Sequence, residues 1–186
     1  MHLLQPAILL TFSVFALYIL NCLYAGQIKK VNLKVATYYV TVMAMLGVFG
    51  EFIIDGLYKL IIGSPLWVYR VLPIHGGYTS VFSIFIWGAM GFQIYLVHDT
   101  LSYKRLPSLY KLTLFFTIEA IILEIIFDLM SVVLFKRYVY YYLPNNLGHV
   151  TSLQVMPLYL LTGYFYIYIL TRFRPRNYEL SRERNT

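Results

Sequence analysis

The chain has 186 residues, of which 60% are hydrophobic and 12% charged, and its mean hydropathy is +0.67. So little polar surface excludes a water-soluble globule, and the short length leaves no room for a separate soluble catalytic domain. The net charge of +7 does not indicate nucleic-acid binding, because basic residues that border apolar segments have a simpler cause in the charge asymmetry of membrane proteins. We therefore predict an integral membrane protein.

Apolar segments predict the fold class, an all-α polytopic membrane helix bundle with five transmembrane helices. Residues 1–171 would form one domain, and residues 172–186 a basic cytoplasmic tail. Each segment reaches the roughly 20 residues that a helix needs to cross a bilayer. The first is interpreted as a retained span, because no Lys or Arg precedes it as in a secretion signal. The segments are Leu3–Tyr24, Val35–Ile62, Tyr78–Val97, Leu112–Phe135 and Val150–Thr171.

The distribution of basic residues predicts the orientation. Eleven of them follow the first, third and fifth segments, and four lie on the other side. Because positively charged loops stay in the cytoplasm, the N-terminus is expected outside the cell membrane and the C-terminus inside. The first group is Lys29, Lys30, Lys34, Lys104, Arg105, Lys111, Arg172, Arg174, Arg176, Arg182 and Arg184, and the second is Lys59, Arg70, Lys136 and Arg137.

Membrane lipids are the expected partners of this chain. The arginine-rich tail suits anionic lipid of the inner leaflet, and it lacks the aromatic stacking platform that accompanies a nucleic-acid-binding arm. No nucleic-acid partner is expected. A small hydrophobic chain also fits a subunit that assembles with another membrane protein or with copies of itself.

The second and third segments resemble the fourth and fifth in the order of their unusual residues, which suggests a duplicated hairpin. Two hairpins of the same orientation would be related by a pseudo-two-fold axis along the membrane normal. The Thr-Ser pairs are expected to cap the helices that follow, so that the loops form ordered turns. The recurring elements, at offsets of 71 to 73, are Glu51 and Asp55 with Glu124 and Asp128, Val68-Tyr69 with Val139-Tyr140, Leu72-Pro73 with Leu143-Pro144, Gly76 with Gly148, and Thr79-Ser80 with Thr151-Ser152.

Carboxyl groups inside the predicted spans are the strongest indication of a functional site. A carboxylate at mid-depth costs about 2.5–3.5 kcal/mol on insertion scales, so its presence needs an explanation. A spacing of four places both acids of each pair on one helical face, pointing into the bundle. We expect the two pairs at similar height, in a cavity open to the extracytoplasmic side. The acids are Glu51, Asp55, Glu119, Glu124 and Asp128.

Loop residues complete the predicted ligand-binding site. Aromatic rings would contribute cation–π contacts, and the basic side chains would act as counter-ions or hydrogen-bond partners. In the alternative interpretation, the carboxyls pair with Lys59 and Arg137 and tie helices together without any ligand. Glu119 points to another face and would serve a proton path or bond a neighbouring helix. The loop members of the site are Trp67, Tyr69, Arg70, His75, Tyr140 and His149.

Metal and cofactor chemistry are not predicted. His75 and His149 would each join two carboxylates at a divalent-metal site, but no His-x-x-x-His spacing supports that reading, and solvated loop histidines are the simpler interpretation. Cys22 is the only cysteine, which excludes a cysteine-built site. His98-Asp99 is interpreted as an interfacial cap. Glycines such as Gly47, Gly50, Gly88, Gly91 and Gly163 would let helices approach closely.

The segment from Gly50-Glu51 through Trp67-Val68-Tyr69 and Gly77-Tyr78-Thr79-Ser80 to Trp87-Gly88 resembles small uncharacterised bacterial multi-pass membrane proteins. Among these it is similar to the ABC-transporter type IV family, whose label implies transport. A fainter likeness connects the acids and aromatic loops to membrane-embedded terpenoid cyclases, which implies intramembrane carboxyls acting as proton donors.

These observations leave three functions open. The first is a permease-like or accessory subunit that binds a small cationic or amphipathic ligand through the intramembrane carboxylates. The second is an intramembrane lipid or isoprenoid cyclase or isomerase, in which a carboxylic acid donates a proton. The third is a structural subunit of a larger membrane complex, which would tolerate replacement of every acid.

Overall fold

The structure, a computed structural model, describes residues 3–103 and 108–173. Helices dominate it, and in chain order they are α1 (Leu4–Ala25), α2 (Leu33–Ile62), α3 (Ser83–Tyr103), α4 (Leu109–Phe135) and α5 (Val155–Arg172). Short strands connect them at one end, namely β1 (Trp67–Tyr69), β2 (Pro73–Ile74), β3 (Thr79–Ser80) and β4 (Tyr140–Tyr142), with a 3-10 turn at His75–Gly77. The predicted all-α fold class is confirmed. Lys104, Arg105 and the arginines of the tail from Arg174 onward lie outside the described residues.

The helix boundaries follow local capping signals. Asn32 accepts a bond from the amide of Val35 at the start of α2, and Ser108 does the same for Lys111 at the start of α4. Gly63 ends α2 in the left-handed conformation, at φ 89°, which glycine adopts without steric cost. Helices α3 and α5 begin five residues later than the predicted spans, at Ser83 and Val155, because Thr79 and Thr151 join short strand pairings instead.

Helix α2 packs along α3, α4 packs along α5, and α1 lies against both α3 and α4. Glycines permit the closest of these approaches. A Cβ atom at Gly91 would lie 2.4 Å from the backbone oxygen of Tyr39, and one at Gly47 would lie 2.2 Å from the indole ring of Trp87. Gly50 and Gly163 are similarly crowded, whereas Gly88 has only an ordinary contact. Close packing therefore explains four of the five glycines.

Strands β1 and β4 form a two-stranded antiparallel ribbon that joins the α2–α3 hairpin to the α4–α5 hairpin. Val68 pairs with Tyr141 at its centre. Beyond the strands, the amide of Arg70 donates to the carbonyl of Val139, and the amide of Leu143 donates to the carbonyl of Leu66. The predicted ordered turns are thus a hydrogen-bonded ribbon, and we call this end of the bundle the ribbon end.

The bundle buries polar side chains and exposes apolar ones. Gln93, Asp55 and Asp128 are fully buried, while the outward faces of all five helices carry large apolar residues at 40% exposure or more. Examples are Phe12, Phe49, Phe85, Val133 and Leu161. Helices α1 and α2 are long and apolar enough to cross a membrane by length and composition.

A buried ion pair ties the connection between α1 and α2 to α3 at the end opposite the ribbon. Lys29 Nζ lies 2.5 Å from Asp99 Oδ2 and donates to Thr100 Oγ1 at 2.9 Å, and Thr100 Oγ1 donates to Asn21 Oδ1 at 3.1 Å. His98 is buried as well, with Nδ1 2.6 Å from the hydroxyl of Tyr39. The interpretation of His98-Asp99 as an interfacial cap is wrong, because both side chains are buried in the bundle, where His98 contacts Tyr39 of α2 and Asp99 contacts Lys29 of the α1–α2 connection.

Candidate functional site

Glu51, on α2, is buried and bonded to hydroxyl groups from the ribbon end. The phenol of Tyr69 in β1 donates to Glu51 Oε1, and Thr79 Oγ1 in β3 donates to Oε2 at 2.8 Å. Glu51 is 5% exposed. Both donors come from the segment that follows the same helix, so the α2–α3 connection folds back over its own carboxyl group.

Glu124, on α4, is bonded in the same way within the second hairpin. The phenol of Tyr142 in β4 donates to Glu124 Oε1, and Thr151 Oγ1 donates to Oε2 at 2.7 Å. Two further phenols reach Oε1, from Tyr140 at 3.2 Å and from Tyr159 on α5 at 3.0 Å. This carboxyl therefore accepts four side-chain hydroxyls.

The contacts correct the alignment of the two hairpins. The sequence pattern equates Tyr69 with Tyr140. In the structure, however, Tyr142 donates to Glu124 Oε1 as Tyr69 donates to Glu51 Oε1. The offset from Tyr69 to Tyr142 equals the offset between the glutamates. With this offset, Val68 is equivalent to Tyr141, its own partner at the centre of the ribbon. The backbone bond from Arg70 to Val139 is likewise equivalent to the bond from Leu143 to Leu66.

Both glutamates line one cavity of about 110 Å³. A single water needs about 10–15 Å³ on this measure, so the cavity has room for several waters or a small organic group. Its walls are otherwise apolar and aromatic. They include Trp67 and Tyr69 of β1, Tyr140 and Tyr142 of β4, Trp87 of α3, Phe127 of α4, Tyr159 of α5, and Leu10, Ser13, Val14 and Leu17 of α1.

The tyrosines of the ribbon are hydrogen-bond donors at neutral pH. Burial raises the pKa of Tyr69, Tyr140 and Tyr142 well above the ordinary tyrosine value. The carboxyl of Glu51 raises the pKa of Tyr69 further, and that of Glu124 does the same for Tyr140 and Tyr142. Their hydroxyls therefore keep their protons and can donate to the glutamates. Rings of the two strands also contact each other, with the Tyr69 and Tyr140 centroids 5.3 Å apart.

Among the described residues, no basic side chain forms an ion pair with Glu51 or Glu124. In the part of the chain that the structure describes, the only ion pair joins Lys29 and Asp99 at the opposite end. Lys59 instead donates to the hydroxyl of Tyr78. Among the described residues, no carboxyl group therefore lies within ion-pair distance of Lys59 or Arg137, the pairing that the alternative interpretation predicts.

The aspartates lie outside the cavity lining, and their environments differ. Asp55 Oδ1 accepts the backbone amides of Leu66 at 2.5 Å and Trp67 at 3.3 Å, which anchors the start of β1 to α2. Asp128 is also completely buried, yet neither of its carboxyl oxygens has a hydrogen-bond partner among the described residues. The second hairpin lacks the anchor that Asp55 provides in the first.

The predicted basic members of the site lie elsewhere. Arg70 and His149 line a separate cleft with Tyr141, whose side chain points away from the glutamate cavity. His75 is exposed, and its ring contacts Phe52 at 5.2 Å between centroids. The structure therefore brings together Glu51, Glu124, Trp67, Tyr69 and Tyr140, and leaves Arg70, His75 and His149 apart.

Glu119 also lies outside the cavity, on α4. Gln93 Nε2 of α3 donates to Glu119 Oε2 at 3.3 Å and to the backbone carbonyl of Phe116 at 3.2 Å. Of the two predicted roles, the hydrogen bond to a neighbouring helix is the one seen.

Several residues that contact the glutamates are not among those predicted for the site. Thr79 and Thr151 were expected to cap helices, but their hydroxyls donate to the glutamates. Tyr142 and Tyr159 were not singled out, although Tyr142 sits in a conspicuous run of tyrosines. The constant offset between the glutamates and between Tyr69 and Tyr142 would have identified the latter.

Among the described residues, no three His, Cys, Asp or Glu side chains lie close enough together to hold a metal ion. Comparison of the chain with protein-family models, with curated proteins and with solved structures finds no match.

Proposed function

We propose that this chain is a cell-membrane protein whose five helices all cross the bilayer and whose paired glutamates bind a small cationic or amphipathic ligand. The exposed apolar faces of all five helices support the membrane setting, since soluble proteins rarely expose such large apolar surface. The charge asymmetry supports an extracytoplasmic N-terminus and a cytoplasmic C-terminus, which makes the ribbon end extracytoplasmic.

One observation carries the ligand proposal. Glu51 and Glu124 enter one apolar, aromatic-walled cavity without any basic partner among the described residues. Carboxylates held by hydroxyl donors supply negative charge, and the faces of Trp and Tyr rings attract cations. A quaternary or protonated amine with apolar substituents matches both features. A permease-like or accessory subunit is the class of protein that such a site fits.

The equivalent contacts of the two hairpins support an internal duplication. A two-fold arrangement along the membrane normal would place the glutamates at the same depth and opposite each other across the cavity. Helix α1 then completes the cavity wall as an addition outside the repeat. Membrane lipid is the expected partner, alone or with another membrane protein or a second copy of the chain.

Binding of tetraethylammonium to the full-length protein in phosphatidylcholine nanodiscs tests the proposal. We expect the Glu51→Gln, Glu124→Gln double variant to lose at least tenfold in affinity, about 1.4 kcal/mol. Glu119→Gln is the matched control, because it removes a helix carboxyl outside the cavity, and it should bind as the wild type does. Unchanged binding by the double variant would refute the site.

Asp128 favours a second candidate function. Its carboxyl group lies one turn from Glu124 and is fully buried without a hydrogen-bond partner among the described residues, where a negative charge would be costly. A neutral acid near an aromatic cavity suits an intramembrane lipid or isoprenoid cyclase or isomerase that begins by protonating a double bond. Lipid extracts from cells with the wild-type gene and with an Asp128→Asn variant would discriminate, because only an enzyme produces an isomer of unchanged mass that the variant loses.

A further inference from the structure

A second concave surface lies on the far side of the ribbon from the glutamate cavity. Successive side chains of a strand point to opposite faces, so Tyr141 points away from the cavity that Tyr140 and Tyr142 line. A cleft of about 520 Å³ opens on that face. It is lined by Arg70, Arg137, Tyr138, Tyr141 and His149.

Both hairpins contribute to this cleft, and four of its five side chains make hydrogen bonds or ring contacts. The guanidinium of Arg70 lies 4.9 Å from the ring centroid of Tyr141, and its Nη2 donates to the Tyr141 hydroxyl at 3.2 Å. His149 Nδ1 lies 2.5 Å from the carbonyl oxygen of Tyr142, and the phenol of Tyr138 donates to the carbonyl of Gly148 at 3.1 Å. The cleft is therefore preorganised across the joint between the hairpins.

The cleft carries positive charge without a counter-ion among the described residues. Residues 56–98 and 129–173 contain no acidic residue, so neither connecting loop at the ribbon end can neutralise an arginine. Within residues 3–103 and 108–173, the only ion pair is that of Lys29 and Asp99, at the other end of the bundle. Arg70 and Arg137 thus face a shared concavity with no carboxylate partner among the described residues.

We propose that the cleft of Arg70, Arg137, Tyr138, Tyr141 and His149 binds a phosphate group. Two guanidinium groups present planar sets of N–H donors that match phosphate oxygens bidentately, and a carboxylate would leave much of this donor capacity unused. The phosphate belongs either to a lipid headgroup or to a free phosphate ion. This site is independent of the glutamate cavity, because the ribbon separates the two and they share no lining residue.

Calorimetric titration of the full-length protein in a non-ionic detergent tests this site with two probes, inorganic phosphate and dihexanoyl phosphatidic acid. We expect saturable binding of at least one probe by the wild type and a loss of at least tenfold in the Arg70→Gln, Arg137→Gln double variant. Lys136→Gln is the matched control, since it removes one positive charge from the same loop outside the cleft, and it should retain the wild-type affinity.

The outcomes distinguish a lipid headgroup from a free phosphate ion as the source of the phosphate group. Binding of both probes identifies phosphate itself as the ligand, and binding of phosphatidic acid alone identifies a lipid headgroup. No saturable binding of either probe, or an equal loss in the Lys136→Gln control, would overturn the proposal. If the double variant does not fold, the single Arg137→Gln and Tyr141→Phe variants replace it, the latter removing the hydroxyl that Arg70 contacts. Wild-type affinity in both would also overturn the proposal.

Discussion

Tyr69 and Tyr142 stand in equivalent places, and each donates its phenolic hydrogen to the glutamate of its own hairpin. The donor is supplied by the loop and the acceptor by the preceding helix, so the same bond closes each hairpin over its carboxyl group. Tyr140 and Tyr159 also donate to Glu124, which gives this carboxyl three tyrosine donors. Among the described residues, Glu51 has one tyrosine donor, Tyr69. The two halves therefore share a plan but differ in how strongly each carboxyl is held.

This asymmetry predicts unequal effects of removing one hydroxyl. Tyr69→Phe should lower the free energy of unfolding by about 1–3 kcal/mol, because a hydrogen bond to a buried carboxyl is lost. Tyr142→Phe should cost less, since Tyr140 and Tyr159 still donate to the same oxygen of Glu124. Denaturation followed by circular dichroism in detergent measures both. Tyr168→Phe, at an exposed ring, is the control, and a larger loss for Tyr142→Phe would contradict this account.

The two aspartates predict opposite responses to the same substitution. Asp55→Ala leaves the buried amides of Leu66 and Trp67 without their acceptor, so it should destabilise the protein by about 2–4 kcal/mol. Asp128→Ala removes a buried carboxyl that has no hydrogen-bond partner among the described residues, so it should be close to neutral or stabilising. Unfolding midpoints of the two variants, measured side by side, check the difference. Equal losses would show that Asp128 has a structural partner.

Helix packing predicts that one glycine cannot be replaced and another can. Gly91→Ala would place its Cβ atom 2.4 Å from the backbone oxygen of Tyr39, so α2 and α3 must separate, at a cost of about 2 kcal/mol or more. Gly56→Ala meets nothing within 4 Å and should stabilise α2 by up to about 1 kcal/mol. Thermal unfolding in detergent distinguishes them. A tolerated Gly91→Ala would mean that α2 and α3 are farther apart than described.

The buried pair at the opposite end predicts strong coupling between Lys29 and Asp99. Lys29→Met leaves a buried carboxylate unpaired and should cost about 3–5 kcal/mol. The double variant Lys29→Met, Asp99→Leu should recover most of that loss, because no unpaired charge then remains buried. A double-mutant cycle of unfolding free energies measures the coupling, and additive losses would contradict it.

The same lysine predicts a dependence of stability on pH. Burial lowers the pKa of Lys29 below the ordinary value of 10.5, although the neighbouring Asp99 acts against this effect. In the window between the lowered pKa and 10.5, the unfolded chain binds more protons than the folded one, so stability rises with pH. Lys29→Met should flatten this rise. Unfolding free energies measured across alkaline pH test it, and an identical slope in the variant would assign the rise to another group.

The order of the helices could be predicted from the sequence, because a long apolar run is a property of consecutive residues and does not depend on distant contacts. Each of the five helices overlaps one predicted apolar segment, and the paired acids are recognisable as costly in an apolar setting. The late starts of α3 and α5 could not be predicted, because Thr79 and Thr151 pair in short strands and donate to carboxyl groups 28 and 27 residues earlier in the chain.

Sequence alone determined which residues are chemically unusual, namely carboxyls within apolar helices, aromatic loops between them and a basic bias toward one set of loops. Only the tertiary structure decided how they are grouped. Glu51 and Glu124 share a cavity, Asp55 and Asp128 do not join it, and Arg70 and His149 face the other side of the ribbon. For the residues of the ribbon the reason is physical: in a strand, neighbouring residues point to opposite faces, so a one-residue change of register moves a side chain from one site to the other.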